Sequence, residues 1–473
     1  MEKQLPVKIV QFGEGNFLRA FVDYAFQELN EKINFNAGVA VVQPIDRGLV
    51  NLLNEQEGLY TLFLRGVKEG KVIEEKHLIS NIVKAIDLYT DFKAYLDLAK
   101  GEHLEFIISN TTEAGIAFEE SDTPSMCPPR SFPAKLTRLL YERFKHFDGD
   151  ASKGLTIIPC ELINYNADTL KKIILQYIEL WQLGNPFGEW VRNANTFHNT
   201  LVDRIVPGYP KDSIEEYNAQ LEYEDKLIVT AENFFLWVIE GDEALKRKLP
   251  FEKTGLDVKI VTDMQPYRTR KVRILNGAHT AMVPFSILYG NETVKETIDD
   301  PFTGKFISET VFDEIIPTLD MDRVELEQFA NAVFDRFRNP FIKHLLSSIA
   351  LNSVSKFKVR VLPSLLGYVE QKGTLPKRLT YAFAALIEFY KGKWQGKSLP
   401  VNDGAEEIAF FEKAWKLAVI EKTVTKVLSN TAFWDTDLTR IKGLPEAITM
   451  AIQEMEANGI EAGYATYSVK LKV

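Results

Sequence analysis

A short apolar run, Val7 to Phe12, ends in Gly13-Glu14-Gly15, and a stretch with Phe17, Ala20, Phe21, Tyr24 and Ala25 at helical spacing follows at once. Strand, glycine turn and helix in immediate succession constrain the fold strongly. Glycine permits the tight turn and lets the backbone approach a pyrophosphate, whose charge a helix N-terminus favours. A plain strand–helix turn is the bland alternative, and the third glycine of the usual fingerprint is missing, since Leu18 stands there. The context favours a dinucleotide bordered by Gly13, Gly15, Asn16, Phe17 and Arg19.

The same alternation continues. Strand-like runs are predicted at residues 38–42, 104–108, 155–158 and 258–261, and helices at 17–29 and 133–144. Strands separated by helices pair in parallel, so the first half is predicted to be α/β, a Rossmann-like doubly wound domain. The second half changes character. Helical periodicity dominates at 267–289, 326–337, 340–352, 378–390 and 406–428. At 473 residues the chain is too long for one ordinary domain. The expected division is a dinucleotide-binding domain over 1–262 and a mostly α-helical substrate domain over 263–473.

Composition removes several function classes. The net charge of -10 argues against nucleic acid as the main partner. It leaves room for an anionic small molecule held by local arginines. Two cysteines make no disulfide framework and fit a reducing, cytoplasmic setting. No run of about 18 apolar residues without charge is present, so no membrane span is expected. The N-terminal residues run straight into a strand and read as no signal peptide. The six histidines include no i, i+4 pair, and there is no CxxC, so no dedicated metal site is expected.

Two segments carry chemistry beyond the glycine turn. The second strand runs into Gln43-Pro44-Ile45-Asp46-Arg47. Asp46 would accept from a ribose 2′-hydroxyl and repel a 2′-phosphate, which favours NAD over NADP, although Arg47 could do the reverse. Further on, Lys271, Asn276 and His279 fall within an arc of roughly 140° on one helix. A cation, an amide and an imidazole converging on one pocket suit alcohol–ketone interconversion, which needs a proton acceptor and donors for a transient oxyanion. Arg268, one turn before Lys271, could lower the lysine pKa or hold an anion. Spacing alone favours the blander reading, a solvated basic stripe with an amide and an imidazole near it.

Together these segments resemble the mannitol dehydrogenase family of long-chain polyol dehydrogenases. The family turn GxGxFxRAF matches Gly13, Gly15, Phe17, Arg19, Ala20 and Phe21, its K-x4-N-x2-H matches Lys271, Asn276 and His279, and its VDRI-x-P matches residues 202–207. Further likeness runs through residues 132–136, 237–240 and 336–340. The resemblance implies a metal-independent NAD enzyme with Lys271 as general acid–base, Asn276 as oxyanion donor and His279 as a substrate-hydroxyl contact. It also implies Asp203 and Lys356 as pocket residues, with Asn110, Thr111 and Thr112 on the cofactor side.

Three places depart from the polyol-oxidising members. Their Cys-Asp-Asn triplet reads Cys160-Glu161-Leu162 here, so one oxyanion asparagine is absent, and Asn164 or Asn166 is left to replace it. Their glutamate three residues before the lysine is Arg268. Their nicotinamide-side loop reads Asn110-Thr111-Thr112-Glu113-Ala114-Gly115. The wording of residues 159–164 and 267–277 is closest to the hexuronate-reducing branch of the family. The resemblance therefore implies a hexuronate-type substrate with its carboxylate on an added arginine, Arg268 being the candidate.

Overall fold

The computed structural model describes residues 5–112 and 114–471, and Glu113 of the 110–115 loop lies outside them. The chain divides into two compact units. The first comprises residues 1–66 and 72–264, and the second residues 67–71 and 265–473.

The first unit is built on a six-stranded sheet, every pair in it parallel. Across the sheet the strands run Ile82–Asp87, Gly38–Gln43, Val7–Phe12, Phe106–Ser109, Thr156–Pro159 and Thr196–Phe197. Counted along the chain this is the order 3-2-1-4-5-6 of dinucleotide-binding sheets, reversing direction between Val7–Phe12 and Phe106–Ser109. Both faces are covered, which explains strands that read as continuous apolar runs. Ile9, Val39, Val41, Phe106 and Ile108 pack with the Tyr24–Ile33 helix on one face. Val10, Phe12, Ala40, Val42 and Ile107 pack on the other face with the Phe132–His146 and Asn166–Leu180 helices.

The expected 258–261 strand is present, and it pairs with Leu236–Glu240 in a separate three-stranded sheet. The sequence reading lacked Ile82–Asp87 and the long strands Tyr60–Lys68 and Lys71–Ile79. The Lys71–Ile79 strand is largely exposed and charged, so it carries little apolar signal.

The second unit is helical. Its centre is the Gly277–Tyr289 helix, buried along most of its length and flanked by Lys377–Phe389 and Leu444–Lys470. The expected helix at 340–352 is a correction. Only Leu346–Ile349 is helical there, because the preceding residues are extended: Leu345 bridges Thr293, and the Val294 N–H donates to the His344 carbonyl. The expected helix at 406–428 is two, Ala405–Trp415 and Ile420–Leu428, separated where Ala418 takes a left-handed φ of 56°. No helix among the described residues is long and apolar enough to cross a membrane.

Candidate active site

In the first unit the glycine turn sits at the carboxyl end of the central strand. Gly13 has φ 121°, and its N–H donates to the Val42 carbonyl. A Cβ there would come within 3.2 Å of the Asn110 carbonyl oxygen, so only glycine closes the crevice where the strand order reverses. Gly15 starts the helix and is exposed, and a Cβ on it would meet nothing within 4 Å. Open space over a helix start in a sheet of this order suits a pyrophosphate.

The residues after the turn hold its shape. Phe17 and Phe21 stack at 4.9 Å, and Phe21 stacks on Phe235 at 4.2 Å. Residues Arg19–Asp23 form a π turn, whose i to i+5 bonding leaves carbonyls that other side chains take up. Tyr60 donates to the Arg19 carbonyl at 2.8 Å, Arg204 to that of Ala20 at 2.6 Å and Asn81 to that of Asp23 at 2.8 Å. Arg204, from the 202–207 motif, is thereby tied to the glycine-turn motif. Arg19 lies within this turn. It is 1% exposed, and its guanidinium donates to the carbonyls of Glu14 and Leu227 and to Asn16 Oδ1. It positions Asn16 and the turn from beneath.

The loop after Phe106–Ser109 is pinned by a residue whose role the sequence did not reveal. Glu161 accepts from the Thr111 N–H and hydroxyl, both at 3.0 Å, and from Ser109 Oγ at 3.1 Å. Burial pushes its carboxyl up despite these donors. Asn110 Nδ2 donates to the Cys160 carbonyl at 2.7 Å, and Thr112 has φ 107°. The signal was available, since Glu161 stands two residues beyond the end of the adjacent Thr156–Pro159 strand. Asn166 is buried and spent on the carbonyls of Pro159 and Glu161 and on Thr200, whereas Asn164 is exposed. Asp46 is exposed in the loop beyond the second strand, and Asp203 is buried at the end of the Thr200–Asp203 strand.

In the second unit Lys271–Asn276 is itself a π segment, set between the Gln265–Arg270 and Gly277–Tyr289 helices. Its wider turn stacks residue i+5 nearly above residue i, so Lys271 and Asn276 lie closer on one face than ideal α-helical spacing gives. Lys271, Asn276 and His279 are each half-buried. The basic run around them is no solvated stripe. Arg270 is 3% exposed, pairs with Glu325 at 2.8 Å and lies over the Phe329 ring at 4.3 Å. Arg273 donates to Ser364 Oγ at 2.6 Å, and burial lowers its pKa to about 10.

His279 sits against Phe337 at 4.4 Å and His344 at 5.0 Å. Its Nε2 is sealed from solvent with no hydrogen-bond partner. Burial, then repulsion from neighbouring basic groups at His344, Arg336, Arg360 and Lys356, hold its pKa well below the ordinary histidine range, so it is neutral at physiological pH. A buried ring nitrogen without a partner costs about 1–3 kcal/mol, a cost relieved where a ligand supplies that partner. The helix Ser353–Arg360 carries Lys356, whose Nζ donates to the Ile349 carbonyl at 2.9 Å. Among the described residues no group of three His, Cys, Asp or Glu side chains could hold a metal ion.

A parallel sheet with an open glycine turn, and a helical unit presenting lysine, asparagine and neutral histidine on one face, together define an oxidoreductase of CH–OH groups. Residues 7–253 match the mannitol dehydrogenase Rossmann domain, and residues 263–456 match the mannitol dehydrogenase C-terminal domain. The chain belongs to the mannitol dehydrogenase family and is an NAD-linked oxidoreductase. It is 47% identical to an altronate oxidoreductase of Bacillus subtilis, over 99% of this chain and 96% of that one. It is 48% identical to one from Yersinia enterocolitica, over 98% and 97%. The fold is shared with a substrate-free D-sorbitol dehydrogenase, with a TM-score of 0.81, 22% identity and coverage of 98% of this chain and 95% of that one. It is also shared with Pseudomonas fluorescens mannitol 2-dehydrogenase in ternary complex with NAD and D-mannitol, with a TM-score of 0.64, 21% identity and the same coverage.

Proposed function

We propose that this chain reduces D-tagaturonate to D-altronate with NADH, reversibly, in hexuronate catabolism in the cytoplasm. The observation that carries this reading is the 46–48% identity, over nearly the whole of both chains, to altronate oxidoreductases. The first unit holds the cofactor: Gly13, Gly15, Asn16 and Phe17 border the pyrophosphate, Asp46 reads the ribose, and Asn110, Thr111 and Thr112 flank the nicotinamide. The second unit brings the acid–base group Lys271 together with Asn276 and His279.

Bound NADH supplies the hydride that the ketone carbon accepts. As that carbon becomes tetrahedral, its oxygen gains negative charge. Asn276 Nδ2 donates to that oxygen, and the Lys271 ammonium transfers a proton to it, giving the alcohol and a neutral amine. In the oxidation direction the neutral amine takes the hydroxyl proton. Neutral His279 offers Nε2 to a neighbouring substrate hydroxyl. Asp203 of the first unit and Lys356 of the second are the further substrate-binding groups of this reading, and Asn164, exposed where Asn166 is already engaged, stands in for the missing asparagine.

The competing readings inside the family are fructuronate reduction and oxidation of a neutral polyol; outside it stands a dinucleotide-binding sensor without turnover. NADH consumption with tagaturonate, fructuronate and fructose in parallel separates them. The expected result is fastest turnover of tagaturonate. Faster turnover of either other ketose would overturn the substrate assignment, and NADH binding without turnover of any would leave the sensor.

A further inference from the structure

A hexuronate differs from a neutral ketose only in the carboxylate at the end remote from the ketone, so its enzyme needs a cation placed away from Lys271. The second unit gathers such cations around His279. The charged groups acting on that ring are His344, Arg336, Arg360 and Lys356, all cationic or potentially so. Of these, Lys356 gives a hydrogen bond to the Ile349 carbonyl at 2.9 Å. The carboxylate acting on Lys356 is Asp403, which is itself engaged by the Tyr390 hydroxyl and the Val354 N–H. Arg360 is half-buried, and among the described residues its guanidinium has neither a carboxylate partner nor a hydrogen-bond acceptor. Burial alone depresses its pKa, the mark of a charge removed from water without compensation.

The backbone fixes where this arginine stands. A Cβ on Gly277 would lie 3.0 Å from the Arg360 carbonyl oxygen, so glycine immediately after Asn276 lets the Ser353–Arg360 helix cross close to the lysine helix. Lys356 and Arg360 are one helical turn apart and share a face. Arg268, by contrast, precedes Lys271 by one turn on the same helix, at the reacting end.

We propose that Arg360 receives the substrate carboxylate, its planar fork pairing with both oxygens, with Lys356 beside it as a second cation. This rests on the hexuronate reading above and names the residue that makes the substrate an acid rather than a sugar.

The test is Arg360→Gln and Arg360→Lys, assayed with tagaturonate and with tagatose, which carries a CH2OH in place of the carboxylate. Wild type is expected to favour the acid strongly. Arg360→Gln should raise KM for tagaturonate by ~10–100-fold, as loss of a charge-assisted pair does, with kcat changed far less. Its acid-to-neutral ratio of kcat/KM should collapse, and Arg360→Lys should recover part of it. Altronate should raise the Tm of wild type and not of Arg360→Gln, a readout independent of turnover. If wild type favours the acid and Arg360→Gln keeps both the ratio and the altronate-induced stabilisation, Arg360 is not the carboxylate site and the hexuronate reading stands. If wild type shows no preference for the acid, the hexuronate reading falls and this proposal falls with it.

Discussion

At the scale of single residues, the structure separates side chains that face a ligand from those that hold them. Glu161 is buried, and its carboxyl group clamps the Thr111 backbone and hydroxyl. Sequence comparison presented it only as a departure. Its function became visible once the parallel pairing of Phe106–Ser109 with Thr156–Pro159 set the two strand ends side by side. Arg19 is a motif residue that also holds the turn, its guanidinium donating to the carbonyls of Glu14 and Leu227 and to Asn16 Oδ1. Asp46 remains where the sequence put it, exposed beyond the second strand. If it reads the ribose, Asp46→Ala should narrow the ratio of kcat/KM for NADH over NADPH, measured with one ketose. An unchanged ratio would place ribose recognition elsewhere.

At the scale of elements, two π turns stand where the family motifs stand, Arg19–Asp23 and Lys271–Asn276. Periodicity read at 3.6 residues per turn located both helices but not these insertions, because one wide turn shifts phase without changing which residues are apolar. The same limit explains the residues 340–352 and 406–428. An extended bridge to Thr293 and a left-handed Ala418 are tertiary outcomes that carry no glycine or proline signature. The first π turn makes a pH prediction. Asp23 ends it, fully buried, and burial raises its carboxyl to about 7 against the lowering effect of donors from Gln11 and Tyr60. The unfolded value is 3.8. Between these the folded chain holds more protons than the unfolded one, so stability falls as pH rises, by at most about 1.4 kcal/mol per pH unit for one such group. Asp23→Asn removes that slope. Its Tm relative to wild type should therefore be clearly higher at pH 8 than at pH 5, whereas an equal difference at both pH values would mean Asp23 does not titrate in this window.

For the whole molecule, the fold class was legible because a doubly wound sheet writes itself into sequence as buried apolar runs, and Val7–Phe12 and Gly38–Gln43 were found nearly to the residue. Strands with mixed or exposed faces were not. The candidate reacting groups, lysine, asparagine and histidine, were singled out from the family motif, because spacing alone also allowed a solvated basic stripe. Arg360 was not legible there, because its place depends on two helices meeting at Gly277. The central claim is that Lys271 moves the proton, and the most direct measurement is the pH dependence of kcat/KM for wild type and Lys271→Ala with NADH and tagaturonate. Lys271→Ala should still bind NADH, because the glycine turn belongs to the first unit. It should lose at least ~10²-fold in turnover, the lower end of what positioned proton transfer contributes. The main titration of the wild-type profile should vanish with the amine, and no histidine step near pH 6.5 should appear in either enzyme, because His279 is already held neutral by burial. Near-normal turnover by Lys271→Ala with an unchanged pH profile would contradict the mechanism.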